Sequence, residues 1–235
     1  MPMPRPLSGF SWRKAARWAL FAVAGFLAFS LLWVGLYRFV DPPGTPLMLI
    51  RAASQGLPAE RDWVPLDTLP AGLVEAVIGA EDSRFCEHGG VDWDAVGAAL
   101  EANEEGRRLR GGSTISQQTA KNAFLWPDRT WARKGLELWF TTLVETFWPK
   151  RRIMEVYLNV IEWAPGVYGA EAASRHWFGK PAAQLTRREA ALLAAIIPSP
   201  LRWRANPPGP YVAGRARVLE QRMGIVRRDG LADCV

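Results

Sequence analysis

The stretch WALFAVAGFLAFSLLWVGLY, residues 18–37, holds twenty residues without a charge, and it constrains this 235-residue chain more than any other feature. A helix of that length crosses the ~30 Å hydrocarbon core of a bilayer. Trp18, Trp33 and Tyr37 stand toward its ends, where amphipathic rings favour the headgroup layer. A cleaved signal peptide would have a shorter apolar region, roughly 7–15 residues, followed by a small-residue cleavage site. Here RFVDPPGTP follows, so the segment reads as a retained anchor. Arg5, Arg13, Lys14 and Arg17 precede it, whereas Arg38 and Asp41 nearly cancel beyond it. The positive-inside bias therefore leaves residues 1–17 as a cytoplasmic tail, 18–37 as the transmembrane anchor, and about 200 residues on the outer face. Nucleotide triphosphates are not expected there.

The formal charge is +6, and four of the cations belong to the tail. The remaining excess suits an anionic lipid surface or an anionic substrate. No zinc-finger, basic-zipper or RNA-binding aromatic signature is present, which argues against nucleic acid as a partner. Cys86 and Cys234 stand far apart without metal-type spacing. An oxidising compartment permits a disulfide, but two unpaired thiols are the simpler expectation.

Residues 38–65, rich in Pro, Gly and polar groups, read as a juxtamembrane stalk. From about Asp67 the pattern is helical. LVEAVIGAE makes one helix, and VDWDAVGAALEAN another with Asp92 as its cap. In GGSTISQQTAKN, Thr114 and Gln117 have capping-box spacing, as do Thr186 and Glu189 in LTRREAALLAAIIPSP. WARKGLELWFTTLVETF repeats Leu136, Trp139/Phe140, Leu143 and Phe147 at the 3.6 period, and KRRIMEVYLNVIEW follows. No useful run alternates with period two, and there are no internal repeats. The expected fold is all-α, a compact mainly helical domain over 66–212 with 213–235 as a C-terminal tail. Trp126, Trp131, Trp139, Phe140, Phe147 and Trp148 crowd a segment that also holds Arg129, Arg133 and Lys134. That mixture suits a membrane interface, although some of these rings belong to a core.

Three features carry chemistry. Glu81 falls on the apolar face of its helix, where desolvation raises a carboxyl pKa and makes it a base or acid near neutral pH. The alternative is a buried acid paired with Arg84. GGST precedes a helix N-terminus, whose free N–H groups and the Ser113 and Thr114 hydroxyls can meet an anion. Lys121, Arg129, Arg133 and Lys134 form a cation set, with Glu137 at i+4 from Arg133 and i+3 from Lys134. The competing reading of that set is a solvated intrahelical ion pair. Together they favour a hydroxyl attacking a sugar that carries a phosphate-type leaving group. Such a reaction needs a base for the hydroxyl and cations for the departing charge, and little acid assistance. A hydrolase of sugar–sugar bonds needs a protonated acid and gains less from the cations.

The ordered segments EDSRFCEHGG, GGSTISQQTAKN, RKGLE, RRIMEVYLNVIEWAPGVYGAEAAS and LTRREAALLAAIIPSP resemble the peptidoglycan glycosyltransferases of glycosyltransferase family 51, which polymerise lipid II. The likeness runs over about 64–208 and is strongest to the monofunctional, membrane-anchored biosynthetic transglycosylases. SWRK at Ser11 has the SxxK spacing of a penicillin-binding domain but lies in the tail without partner motifs. The resemblance implies a lysozyme-like, two-lobed domain with Glu81 as the base on the acceptor 4-hydroxyl and Glu137 as the second essential acid. It places Lys121, Arg129, Arg133 and Lys134 around the donor pyrophosphate, with Ser113, Gln117, Gln118 and Asn122 as the polar second motif. Asp82 is implied to bind substrate, while His88, Glu145, Tyr157 and Asn159 are implied to be structural. It requires no cofactor and leaves room for a divalent cation, Mg or Mn, at the pyrophosphate. The implied partners are lipid II, the growing lipid-linked strand, membrane lipids and other cell-wall synthesis or division proteins. The implied location is the bacterial inner membrane, single-pass, with the domain in the periplasm. A wall-degrading lysozyme-like enzyme and a tethered lipid II-binding scaffold are the rival readings.

Overall fold

A computed structural model describes residues 11–56, 58–94, 97, 112–128 and 130–235. Within them are nine α-helices: α1 Trp12–Phe39, α2 Pro46–Gln55, α3 Ala71–Glu81, α4 Ile115–Phe124, α5 Trp131–Phe147, α6 Lys150–Val160, α7 Ala170–Phe178, α8 Arg187–Ile196 and α9 Pro210–Arg228. Three very short strands, β1 Glu60–Arg61, β2 Glu162–Ala164 and β3 Val167–Tyr168, form one sheet in the order β1-β3-β2. β1 is parallel to β3 and β2 antiparallel to it. Strands of two or three residues are too short to show alternation, so their absence from the sequence pattern has a simple cause. The expected helix in VDWDAVGAALEAN lies mostly outside the described residues.

The helices form two groups. In one, α3, α8 and α9 pack on one another; in the other, α4 packs on α5, α6 and α2, and α1 lies along α5. Both expected capping boxes are present: the Thr114 and Thr186 side chains accept from the N–H groups of Gln117 and Glu189, which return the bond. The core of the second group is aromatic. Phe124 and Phe140 stack at 4.8 Å between centroids, and Trp33, Tyr37 and Trp148 close round Phe124.

The anchor is fixed to this core. At 1.5 Å per residue its 28 residues span about 42 Å, longer than the ~30 Å apolar layer. Ser30, Val34 and Tyr37 in its C-terminal part are buried. Trp139 Nε1 donates to Ser30 Oγ (3.2 Å), Trp148 Nε1 to the Val34 carbonyl (2.9 Å), and Arg38 to the Phe147 carbonyl. Arg152 caps the helix end, donating to the Tyr37 and Val40 carbonyls at 3.0 Å each. Contacts advance along α1 as they advance along α5, from Phe26 against Trp139 to Val34 against Trp148. The two helices therefore run side by side in the same direction. This puts the start of α5, with Trp131 92% exposed, toward the N-terminal end of α1. Of the aromatic cluster, Phe140 and Trp148 are core, Trp139 meets the anchor, and Trp126, Trp131 and Phe147 are exposed.

Three expectations are corrected. Residues 38–65 are not a plain stalk: Thr45 caps α2, Leu47 and Met48 are buried, and β1 joins the sheet. Residues 213–235 are not a tail: they continue α9, which buries Val212, Ala216, Leu219, Met223 and Val226 against α3 and α8. Cys86 and Cys234 are not free thiols but a disulfide, which joins the segment after α3 to the chain's end across 148 positions.

Candidate active site

Glu81 is the last residue of α3, at the junction of the two helix groups. The helix stops there because the next residue, Asp82, turns inward. Its buried carboxylate accepts from Ile115 N at 3.0 Å and from His88 Nε2 at 2.9 and 3.0 Å. His88 Nδ1 accepts from Gly90 N (3.1 Å), which leaves the ring proton on Nε2, facing Asp82. Gly90 has φ +96°, and a Cβ there would stand 2.7 Å from Thr141 Cγ2 and 2.9 Å from Glu145 Cγ. Beneath it Glu145 accepts from Ser116 Oγ and from Lys150 Nζ (2.8 Å), and Lys150 also donates to the His88 carbonyl at 2.6 Å. Asp82 thus locks the loop after α3 to the start of α4 with both oxygens engaged. These bonds give it a positioning role at the head of the site.

With the backbone locked, the Glu81 side chain is held by its neighbours. Gln118 Nε2 donates to Glu81 Oε2 at 2.9 Å, and Tyr157 O–H donates to Gln118 Oε1 at 3.2 Å. Burial drives the Tyr157 pKa well above 10, with Glu81 and Asp82 adding to the rise, so the phenol stays protonated and fixes the amide's orientation. Arg215 on α9 lies 3.8 Å from Glu81 Oε1. Burial raises the Glu81 pKa above its ordinary value; the Gln118 bond, then Arg215 and Lys121, pull it back, and Asp82 adds a smaller rise. The alternative pairing with Arg84 is not found: that guanidinium binds Glu87, Asp92 and Asp94. Glu81 is a largely desolvated carboxylate with one neutral donor and a single long ion pair, to Arg215 at 3.8 Å, a state suited to accepting a proton.

Lys121 lies one turn beyond Gln118 on α4. Burial lowers its pKa first; Glu137 raises it, Arg133 and Lys134 lower it, and Glu81 raises it least. The ammonium thus feels both carboxylates, and no hydrogen bond among the described residues engages it. On α5, Glu137 is only 3% exposed and its two oxygens are divided between Arg133 Nη1 (2.6 Å) and Lys134 Nζ. The solvated-pair reading fails for Arg133 and Glu137, which are buried. Lys134 remains partly exposed, and Arg133 Nε is buried without a hydrogen-bond partner among the described residues. Arg129 lies outside the described residues.

A cleft of about 710 Å³ opens beside these groups, lined by Gln118, Lys121 and Asn122 from α4 and by Arg51, Glu162 and Arg202 from other elements. Asn122 is held by a 2.8 Å bond to the Gln118 carbonyl. Ser113 is exposed on the loop before α4, its carbonyl 3.4 Å from Gln118 Nε2. Gln117 is buried, and its side-chain carbonyl accepts from Thr114 N in the cap of α4. Asn159 latches Val64 through both backbone groups, at 3.0 and 2.9 Å. Among the described residues no cluster of three or more His, Cys, Asp or Glu could hold a metal, and Glu137 is committed to two cations. These donors do not fit a resident divalent ion.

The transglycosylase family model matches residues 49–224. The chain belongs to the transglycosylase family. Biosynthetic peptidoglycan transglycosylases similar to it include that of Rhodospirillum centenum, 61% identical over 91% of this chain and 93% of its own length. That of Caulobacter vibrioides is 56% identical over 92% and 93%, and that of Pseudomonas aeruginosa 51% identical over 84% and 88%. The transglycosylase match covers both helix groups apart from α1 and the first residues of α2, and includes most of α9, which the sequence reading had cut at residue 212. Arg51, Arg202 and Arg215 had escaped that reading, since each meets the site from far along the chain and carries no local motif, while Glu162 lay inside a recognised segment without being singled out.

Proposed function

We propose that this chain is a peptidoglycan glycosyltransferase that polymerises lipid II into β-1,4-linked glycan with inversion at C1. The growing strand, on its lipid pyrophosphate, is the donor and an incoming lipid II the acceptor. Glu81 takes the proton of the acceptor 4-hydroxyl, whose oxygen forms the new bond to C1. The bond from C1 to the pyrophosphate oxygen breaks on the opposite face, and its electron pair leaves with undecaprenyl pyrophosphate. The leaving group departs as an anion that needs no proton, so cations do the work there. Lys121, Arg133 and Lys134 supply them, with Glu137 keeping Arg133 and Lys134 oriented. The exposed Lys134 edge and the lone Lys121 ammonium are the available donors.

The observation that carries this reading is Glu81 itself, largely buried, bonded to a neutral amide, at the margin of a cation-lined cleft. The anchor supports the substrate. α1 is apolar and long enough to cross a bilayer, and α5, which carries Arg133 and Lys134, packs along it. A single-pass position in the inner membrane with the domain on the periplasmic side fits the cationic tail and the disulfide, which an oxidising compartment favours. Other wall-synthesis or division proteins are the expected neighbours there. Purified full-length protein given labelled lipid II should yield long glycan that lysozyme digests. Soluble anhydro-sugars released from preformed wall would instead identify a degrading enzyme, and lipid II binding without product a scaffold.

A further inference from the structure

The cleft has a charged end that the reaction described above does not use. Arg51, on α2, extends into it, and its Nε lies 3.2 Å from Glu162 Oε2 on β2. Glu162 is buried, and its other oxygen accepts from Gly166 N and Tyr168 O–H, both at 3.3 Å. Three elements thus fix one carboxylate, whose second oxygen braces the guanidinium. The Arg51 side chain keeps 22% of its surface exposed; its Nε meets Glu162 as an ion pair without hydrogen-bond geometry, and its Nη groups make no hydrogen bond among the described residues. Arg202, from the loop after α8, lines the same cleft. A braced guanidinium with its free edge turned to a cavity is matched by a planar or tetrahedral oxyanion, which two parallel N–H groups bind at once. Glu162 suits a brace better than a ligand-facing acid, since its oxygens are already taken.

We propose that Arg51, held by Glu162, binds a second anionic group of the lipid-linked substrate, apart from the Lys121, Arg133 and Lys134 cluster. The shared chemistry is an oxyanion, and lipid II offers two sources: the carboxylates of its peptide stem and its diphosphate. The proposal rests on lipid II being the substrate. It does not depend on turnover, because binding alone reports it.

Full-length protein in nanodiscs is titrated with lipid II, alongside Arg51→Ala, Arg51→Lys and Glu162→Gln, with thermal melting of each variant as a check on folding. Losing a charge-assisted bidentate contact raises Kd by about tenfold. Arg51→Lys, which keeps the charge but not the fork, is expected to fall between. Glu162→Gln is expected to weaken binding in the same direction. In steady state Arg51→Ala should raise KM with kcat within about twofold, the pattern of a group that binds ground and transition states alike. A lipid II with every stem carboxylate amidated separates the sources. Equal Kd for wild type and Arg51→Ala on that substrate assigns the stem, and a persisting tenfold ratio assigns the diphosphate. An unchanged Kd for Arg51→Ala on native lipid II, or a fall in kcat at constant KM, overturns the proposal. Failure of the wild type to polymerise, with the Kd ratio intact, would strike the proposed reaction and leave Arg51 standing.

Discussion

Replacing both cysteines, Cys86→Ser with Cys234→Ser, should cost stability while leaving the chemistry almost untouched. The disulfide closes a loop across 148 positions. In the chain-entropy treatment a cross-link of that span removes about 5 kcal/mol of freedom from the unfolded chain, and measured losses more often fall at 2–4 kcal/mol. The folded state offers little compensation, since α9 keeps its own contacts without the bond. Leu219, Met223 and Val226 stay buried, Arg227 still pairs with Glu75 at 2.8 Å, and Arg222 still donates to the Gly79 carbonyl at 3.0 Å. A loss of 2–4 kcal/mol lowers the melting temperature of a chain this size by roughly 4–16 °C. The assay is thermal unfolding in detergent, with lipid II polymerisation measured at 25 °C, where the double variant should keep its rate within about twofold. Reductant should lower the melting temperature of the wild type toward the variant's and leave the variant unmoved. A melting temperature within ~2 °C of wild type, or two thiols that label freely in protein taken from the envelope, would refute the reasoning.

Two further perturbations probe the site. Arg215→Ala removes a cation that lowers the Glu81 pKa, so the carboxyl must ionise at higher pH; the acidic limb of kcat/KM should move upward while the rate above it holds. A limb that stays put or moves down would show that Arg215 does not act on Glu81. Gly90→Ala forces a Cβ against Thr141 and Glu145 at φ +96° and should destabilise the protein by about 1–3 kcal/mol, measured by denaturant titration.

The parts that could be read from the chain were those written locally. Both capping boxes involve residues three apart and fell where expected, and the charge at Glu81 broke an apolar helix face that the fold does bury. What escaped was written at long range. The disulfide joins positions with no pattern between them. α9 carries its core residues on one face, but Gly214, Gly224 and five arginines dilute the apolar signal until it resembles a tail. The resemblance implied that Asp82 and Gln117 bind substrate; the structure turns both side chains inward, where they hold the start of α4. A motif shows that residues belong together, but not which of them face the cleft. Arg51 and Arg215 reach the site across more than a hundred residues, where only folding brings them near Glu162 and Glu81.

The most direct test is the rate of chain elongation from lipid II by Glu81→Gln, which keeps the side chain's shape and removes the ability to take a proton. The expected outcome is a fall in kcat by roughly 10²–10⁴-fold, with lipid II still bound and the melting temperature preserved. Elongation by the amide variant at the wild-type rate would contradict the account.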